Sequence, residues 1–195
     1  MGYTNAQRVA VLSIFCYNYQ MRTPNSEPGG NSTLAQVESL AKRLFGDAMD
    51  LDEPILGISD DDFIAPNVSE MLLAPDTTVA TLVEDGEVLG FSVAIPIGKM
   101  HMARYLESDE TAYIYFTGID SACQGKGKIA VLMDDMVAQL KARGYCFIER
   151  DCVLTQNYAD NVEKVFAGAI VEKYDHTRWP EVGPERFFRI DLSLL

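Results

Sequence analysis

Apolar positions recur along this chain in two periods, and the changes between them mark its elements. Leu34, Val37, Leu40, Ala41, Leu44 and Phe45 fall on one face at helical spacing, with Thr33 and Gln36 set as a capping box and Gly46 as a stop. A second helical face, Ile129, Leu132, Met133, Met136, Val137 and Leu140, predicts a helix from about Lys128 to Arg143, closed by Gly144. Strand-like runs cover Thr77 to Val83 and Val88 to Ile95, joined by a two-residue turn at Asp85-Gly86. Further strands are expected over Thr111 to Ile119 and Tyr145 to Leu154, then a short helix over Ala159 to Ala167. A closing hairpin pairs Ile170 to Arg178 with Arg186 to Leu192.

The first half is less periodic. Val9 to Cys16 reads as a strand or a short helix, and the Pro- and Gly-containing stretch Thr23 to Ser32 as a loop. Residues 47 to 62 are rich in Asp and Glu but lack the ligand register of a calcium loop. They read as a solvated connection into a helix over Asp62 to Leu73, capped by Asp60 or Asp61. The whole is a mixed α/β (α+β) pattern that fits a single domain over residues 1–195.

Charge narrows the partners. Sixteen basic against twenty-nine acidic residues leave a net charge of −13, which disfavours nonspecific nucleic-acid or anionic-membrane binding. It favours a cationic small partner such as an amine, although acidity also serves solubility alone. Cys16, Cys123, Cys146 and Cys152 show no CxxC spacing, so no metal site is expected. Cys16 and Cys146 sit in apolar runs and read as core residues. No apolar run is long enough for a membrane span, and the N-terminus reads neither as a signal peptide nor, with Ala6 in place, as a myristoylation motif. A cytoplasmic location is the expectation.

One stretch carries chemistry. Gln124-Gly125-Lys126-Gly127-Lys128 lies between a strand and a helix, where glycines admit close approach and unpaired helical N–H groups attract an anion. From Tyr105 to Leu140 its two lysines are the sole basic residues. An ATP-type loop needs Gly at 122 and Ser or Thr at 129, where this chain has Ala122 and Ile129. The dinucleotide fingerprint would open a parallel βαβ unit, whereas hairpins surround this turn. A tight turn with solvated lysines is the plain alternative.

The run Tyr115 to Ala130 resembles motif A of the GNAT superfamily of N-acetyltransferases, in which Arg or Gln with Gly-x-Gly-x-Gly/Ala opens a helix after a strand. Gln124, Gly125 and Gly127 match it, while Ile129 stands where the family usually has a small residue. The order of elements is similar from about residue 33 to the C-terminus. The resemblance implies a mostly antiparallel central sheet flanked by helices, with a splayed strand pair and a C-terminal β-hairpin. It implies acetyl-CoA as cosubstrate, no metal, and a small-molecule or peptide amine acceptor, in a monomer or homodimer. By position, Ile119 would hydrogen-bond the pantetheine arm through its main chain. Backbone N–H groups from Gln124 through Lys126, Lys128 and Ile129 would hold the pyrophosphate, and Asn157, with Asn161 as second choice, would lie near the thioester.

The reaction implied is attack by a free amine on the thioester, which requires a base. Glu110 and Glu149 are the candidates, although the charged run Glu149-Arg150-Asp151 also suits a solvated strand. The hydroxyl that many relatives place in the last helix is missing from Val165-Phe166-Ala167, and Tyr158 or Tyr174 are substitutes with a packing role as the alternative. His176 is expected to face solvent in the tail hairpin. A non-catalytic acyl-CoA-binding or partner-binding module of the same fold is the second reading.

Overall fold

The computed structural model describes residues 19–20, 30–45, 55–56, 64–65, 68–99, 108–123, 126–154, 158–177 and 183–195. In chain order these form β1 (Tyr19–Gln20), α1 (Gly30–Phe45), β2 (Ile55–Leu56), β3 (Ile64–Ala65), α2 (Val68–Leu73), β4 (Thr78–Glu84), β5 (Glu87–Pro96), β6 (Thr111–Ser121), α3 (Lys128–Ala142), β7 (Phe147–Val153), α4 (Tyr158–Val165), β8 (Ile170–His176) and β9 (Glu185–Asp191). The main sheet runs β4-β5-β6-β7-β9-β8, and β1 adds a short parallel contact to the end of β6. Every other pairing in it is antiparallel except β6 with β7.

Alternation along the strands divides the apolar residues between two layers. On one face Leu132, Met133, Met136 and Leu140 of α3, with Ala159 and Val162 of α4, pack on Ala80, Leu82, Ile114, Ile148, Phe188 and Ile190. On the other face Val37, Leu40, Ala41 and Leu44 of α1 and Met71 of α2 pack on Phe91, Val93, Ile95, Tyr113, Phe116 and Phe187. Burying each Leu or Met contributes about 1.5–3 kcal/mol. That exceeds what helix propensity supplies, so packing holds α3 in place. Gly118 lets α1 lie close to the sheet: a Cβ there would sit 2.7 Å from Leu44 Cδ1 and 2.9 Å from Phe91 Cε1.

Local turn chemistry agrees with the sequence. Asp85 (φ 51) and Gly86 (φ 80) form the two-residue turn between β4 and β5, with the left-handed backbone such hairpins require. Gln36 of α1 clasps this turn, its Oε1 accepting from Val88 N at 2.7 Å and its Nε2 donating to Gly86 O at 3.3 Å. Gly144 (φ 89) ends α3, with Gly144 N bonded to Lys141 O and Tyr145 N to Leu140 O.

Five expectations need correction. The Gly-rich turn follows β6, and β6, α3 and β7 form a parallel βαβ unit rather than hairpins alone. Helix α1 begins at Gly30, so Thr33 lies inside it rather than at its cap. The apolar face locates the body of that helix, but its first turn has no apolar member to mark it. In place of an uninterrupted connection and a helix from Asp62, Ile55 pairs with Ala65 and Leu56 with Ile64, and α2 starts at Val68. Two-residue strands carry too little periodicity to be read. Cys146 is exposed, not core, because the chain turns there from α3 into β7, with Cys146 N donating to Glu110 O at 2.8 Å; among the described residues Cys123 and Cys152 are the buried thiols. The charged run Glu149-Arg150-Asp151 is buried, not solvated. The Val9 to Cys16 segment lies outside the described residues. Among the described residues no helix is long and apolar enough to cross a membrane.

Candidate active site

β6 and β7 part company early. Their parallel ladder holds only Thr111↔Phe147, Ala112↔Ile148 and Tyr113↔Glu149, yet β6 runs on to Ser121 and β7 to Val153. The cause lies on the other side of β6. Its register with β5 shifts between Val93 and Ala94, which pair with Phe116 and Ile114 and leave Tyr115 as an extra residue. Such a bulge bends and twists the strand that carries it. Tyr115 and Phe116 are therefore both buried in the layer under α1, ring against ring at 4.6 Å. The bend comes just after the last β6–β7 pair, and the two strands diverge from there.

The diverging end of β6 leads to the N-terminus of α3. Gly127 is its N-cap, left-handed at φ 71, with no side chain capping the helix and no acid in the first turn. Among the described residues, a Cβ at Gly127 would meet nothing within 4 Å. The first amides of α3 and its dipole suit an anion. The approach to this corner is pinned by Asp120. Its Oδ1 accepts from Ala122 N at 3.1 Å, and its Oδ2 binds the Arg43 guanidinium of α1.

The two lysines of the loop differ. Lys126 is exposed. Lys128 folds back onto Glu84, the last residue of β4, whose side chain is fully buried. A carboxylate in that position requires a cation, so this ammonium is committed to the protein. Cys123 is buried beside them, its thiol pushed up to about 11 by burial and then by the Glu84 charge, against the opposing pull of Lys126 and Lys128. Glu84 was not legible as a partner, because the run Glu84-Asp85-Gly86-Glu87 reads simply as a polar turn.

Ile119, Lys126, Gly127, Lys128 and Ile129 are brought together around this corner, with Ile119 and Ile129 packed against the α3 core. Gln124, Gly125 and Asn157 lie outside the described residues. Glu110 sits exposed at the opposite end of β6, its main-chain carbonyl accepting from Cys146 N and Phe147 N. Glu149 closes the β6–β7 ladder and is hydrogen-bonded to Arg189, which also lies 4.2 Å over the Phe147 ring. Burial pushes the Glu149 carboxyl above the usual carboxylate range, only partly opposed by Arg189.

Next to Glu149 is a cluster the sequence did not reveal. Asp151 Oδ2 accepts from the Tyr113 hydroxyl at 2.9 Å, and Asp151 Oδ1 lies 2.9 Å from His176 Nε2. His176 is therefore turned to the sheet rather than to solvent. Tyr174 stacks on Phe187 at 4.9 Å, and Tyr158 is buried with the Arg150 guanidinium 4.7 Å over its ring. Tyr158 is thus enclosed in the core, while Tyr174 lies on the surface with its ring against Phe187.

Comparison with known proteins bears on this geometry. The sequence pattern of the acetyltransferase (GNAT) family matches residues 42–162. No curated protein matches the chain at a significant level. Among solved structures, the aminoglycoside 6'-N-acetyltransferase from Enterococcus faecium superposes with a TM-score of 0.58 at 14% identity, covering 88% of this chain and 97% of its own. An aminoglycoside 6'-acetyltransferase type Ii gives 0.56 at 16% identity, again over 88% and 97%. An N-acetyltransferase from Staphylococcus aureus Mu50 gives 0.54 at 15% identity, over 90% and 99%. These likenesses are of fold, and they share the mixed sheet flanked by helices described above. With its family pattern spanning the β4–β5 hairpin, the diverging strands and α3, this chain belongs to the GNAT acetyltransferase family.

Proposed function

We propose that this protein moves an acetyl or other short acyl group from acetyl-CoA to a primary amine. The observation that carries this reading is the divergence of β6 from β7, opening toward the uncapped N-terminus of α3. Main-chain groups of Ile119 would hold the pantetheine arm. Amides from Gln124 to Ile129 would take the pyrophosphate, with Gly125 and Gly127 giving room and Lys126 adding charge. Lys128 would contribute its amide, since its ammonium is held by Glu84. Asn157 would lie near the thioester. Glu110 and Glu149 are the base candidates from sequence. Of these, Glu149 stands nearer the divergence, and burial raises its proton affinity.

A net charge of −13 supports a cationic acceptor, as does the amine chemistry in the names of the aminoglycoside-modifying relatives. The test is thermal unfolding with acetyl-CoA, CoA and ATP, followed by free-thiol release with spermidine, kanamycin and p-anisidine. Acetyl-CoA is expected to raise Tm, and the cationic amines to release thiol faster than the neutral arylamine. A rise with ATP and none with CoA or acetyl-CoA refutes the reading. A second reading, an acyl-CoA-binding module without catalysis, is favoured by Val165, Phe166 and Ala167, which place no hydroxyl at the end of the last helix. It predicts a Tm rise with acetyl-CoA and no thiol release.

A further inference from the structure

The last turn of α1 lies against the last residues of β6. Leu44 packs so close to Gly118 that a Cβ there would sit 2.7 Å from Leu44 Cδ1. One residue before Leu44, the Arg43 guanidinium donates to Asp120 Oδ2, seventy-seven residues along the chain. Asp120 in turn organises the chain that follows it. Its Oδ1 accepts from Ala122 N at 3.1 Å, and its main-chain O accepts from Cys123 N at 3.2 Å. A carboxylate bonded to the amide two residues on forms an Asx turn, which sets the direction in which the chain leaves the strand. One oxygen of Asp120 therefore shapes the turn while the other is held by α1 through a charge-assisted bond. With the guanidinium removed, the carboxylate is free to rotate toward water, and the bond from Ala122 N then competes with solvent. This turn stands between the two parts of the anion corner, since Ile119 precedes it and the loop to the Gly127 cap follows it.

We propose that Arg43 is a positioning residue for acyl-CoA. Through Asp120 it fixes the turn that aims the Ile119 main chain and the first amides of α3 at the pantetheine arm and the pyrophosphate. The proposal rests on the acyl-CoA reading of this corner and adds to it a side chain from the layer opposite α3. Arg43 acts through Asp120 and not on the ligand, because its charge is already shared between two carboxylates. Asp120 binds it directly, and Glu87 Oε1 lies 4.0 Å from its Nη1, so a phosphate at the guanidinium would face both acids. The helix that carries Arg43 is itself anchored, since Gln36, two turns earlier on α1, is bonded to Gly86 O and Val88 N of the β4–β5 hairpin. Main-chain donors serve a ligand only when held to within about 0.5 Å of the productive geometry, so a loosened support is read as lost affinity.

The test is calorimetric titration of the full chain with acetyl-CoA, joined by thiol release with whichever amine of the panel above turns over fastest. Arg43→Met is expected to weaken acetyl-CoA binding by about five- to tenfold. The KM for acetyl-CoA should rise in the same proportion while kcat changes by less than about twofold. Arg43→Lys, which keeps the charge, should recover part of the loss. Asp120→Asn should weaken binding at least as much, and adding Arg43→Met to it should cost less than about twofold more, because the two act as one unit. The Arg43 side chain is 50% exposed, so Arg43→Met without ligand should melt within about 4 °C of the wild type. A dissociation constant for Arg43→Met within about twofold of the wild type overturns the proposal, whatever the change in Tm. So does an Arg43→Met loss that is undiminished in the Asp120→Asn background, which would make Arg43 a direct ligand contact. If the wild type binds acetyl-CoA but releases no thiol, acyl transfer falls and the same binding constants still decide the role of Arg43. A wild type that binds no acetyl-CoA overturns both.

Discussion

Lys128→Met is the perturbation that best separates architecture from ligand binding at the α3 corner. Glu84 has no exposed side-chain surface, and Lys128 retains 17%. Removing one partner of a fully buried pair costs about 3–5 kcal/mol, because the survivor keeps its charge without compensation. Partial exposure of Lys128 lets water screen the interaction, so we expect a cost below that range, about 2–3 kcal/mol. In a chain of this size that is a Tm loss of about 5–10 °C. The double variant Glu84→Gln/Lys128→Met removes both charges and should melt within about 2 °C of the wild type, since a buried pair and its neutral replacement are often nearly equal. The acetyl-CoA-induced Tm rise is then measured on all forms. If Lys128 acts by fixing the first turn of α3, the double variant recovers the rise that Lys128→Met loses. A Lys128→Met protein that melts with the wild type, or a double variant less stable than Lys128→Met, would show that the buried charge of Glu84 does not depend on this lysine.

Three other outcomes are expected. Gly127→Ala places a Cβ in a left-handed N-cap and should cost about 1 kcal/mol, or 2–4 °C in Tm; Gly127→Asn should cost less, and thermal unfolding ranks the two. Gly118→Ala forces a Cβ into Leu44 and Phe91 and should lose about 1–3 kcal/mol in urea unfolding, with Leu44→Ala in the same chain restoring part of it. Glu149 has a folded pKa above its unfolded value, so its protonated form is the better buried one. The stability it contributes is therefore present below the ordinary glutamate value of about 4.3 and lost as pH rises through the folded pKa. Measured against Glu149→Gln, the wild type should lose relative Tm between acid and neutral pH, and a relative gain would contradict the assignment.

Elements whose signal is local can be read from the chain alone. The periodicity of Leu132, Met133, Met136 and Leu140, the Asp85-Gly86 turn and the Gly144 stop each follow from a few neighbouring residues, and each stands within a residue or two of its expected place. The Gly-rich corner after β6 is legible for the same reason, because glycine spacing and the following helix lie in one short run. Partners are another matter, and they are settled by assembly of the sheet. The buried charge of Glu84 finds Lys128 forty-four residues away, Asp151 finds Tyr113 at thirty-eight, and His176 reaches Asp151 over twenty-five. Each of these residues alone reads as an ordinary polar position, since side-chain pairing across a sheet depends on register. Register in turn depends on the shift at Val93/Ala94, which bends β6 away from β7. That bulge has no motif of its own: it is set by which residues the two layers bury on either side of the strand, and the opening it makes exists only once the sheet is assembled.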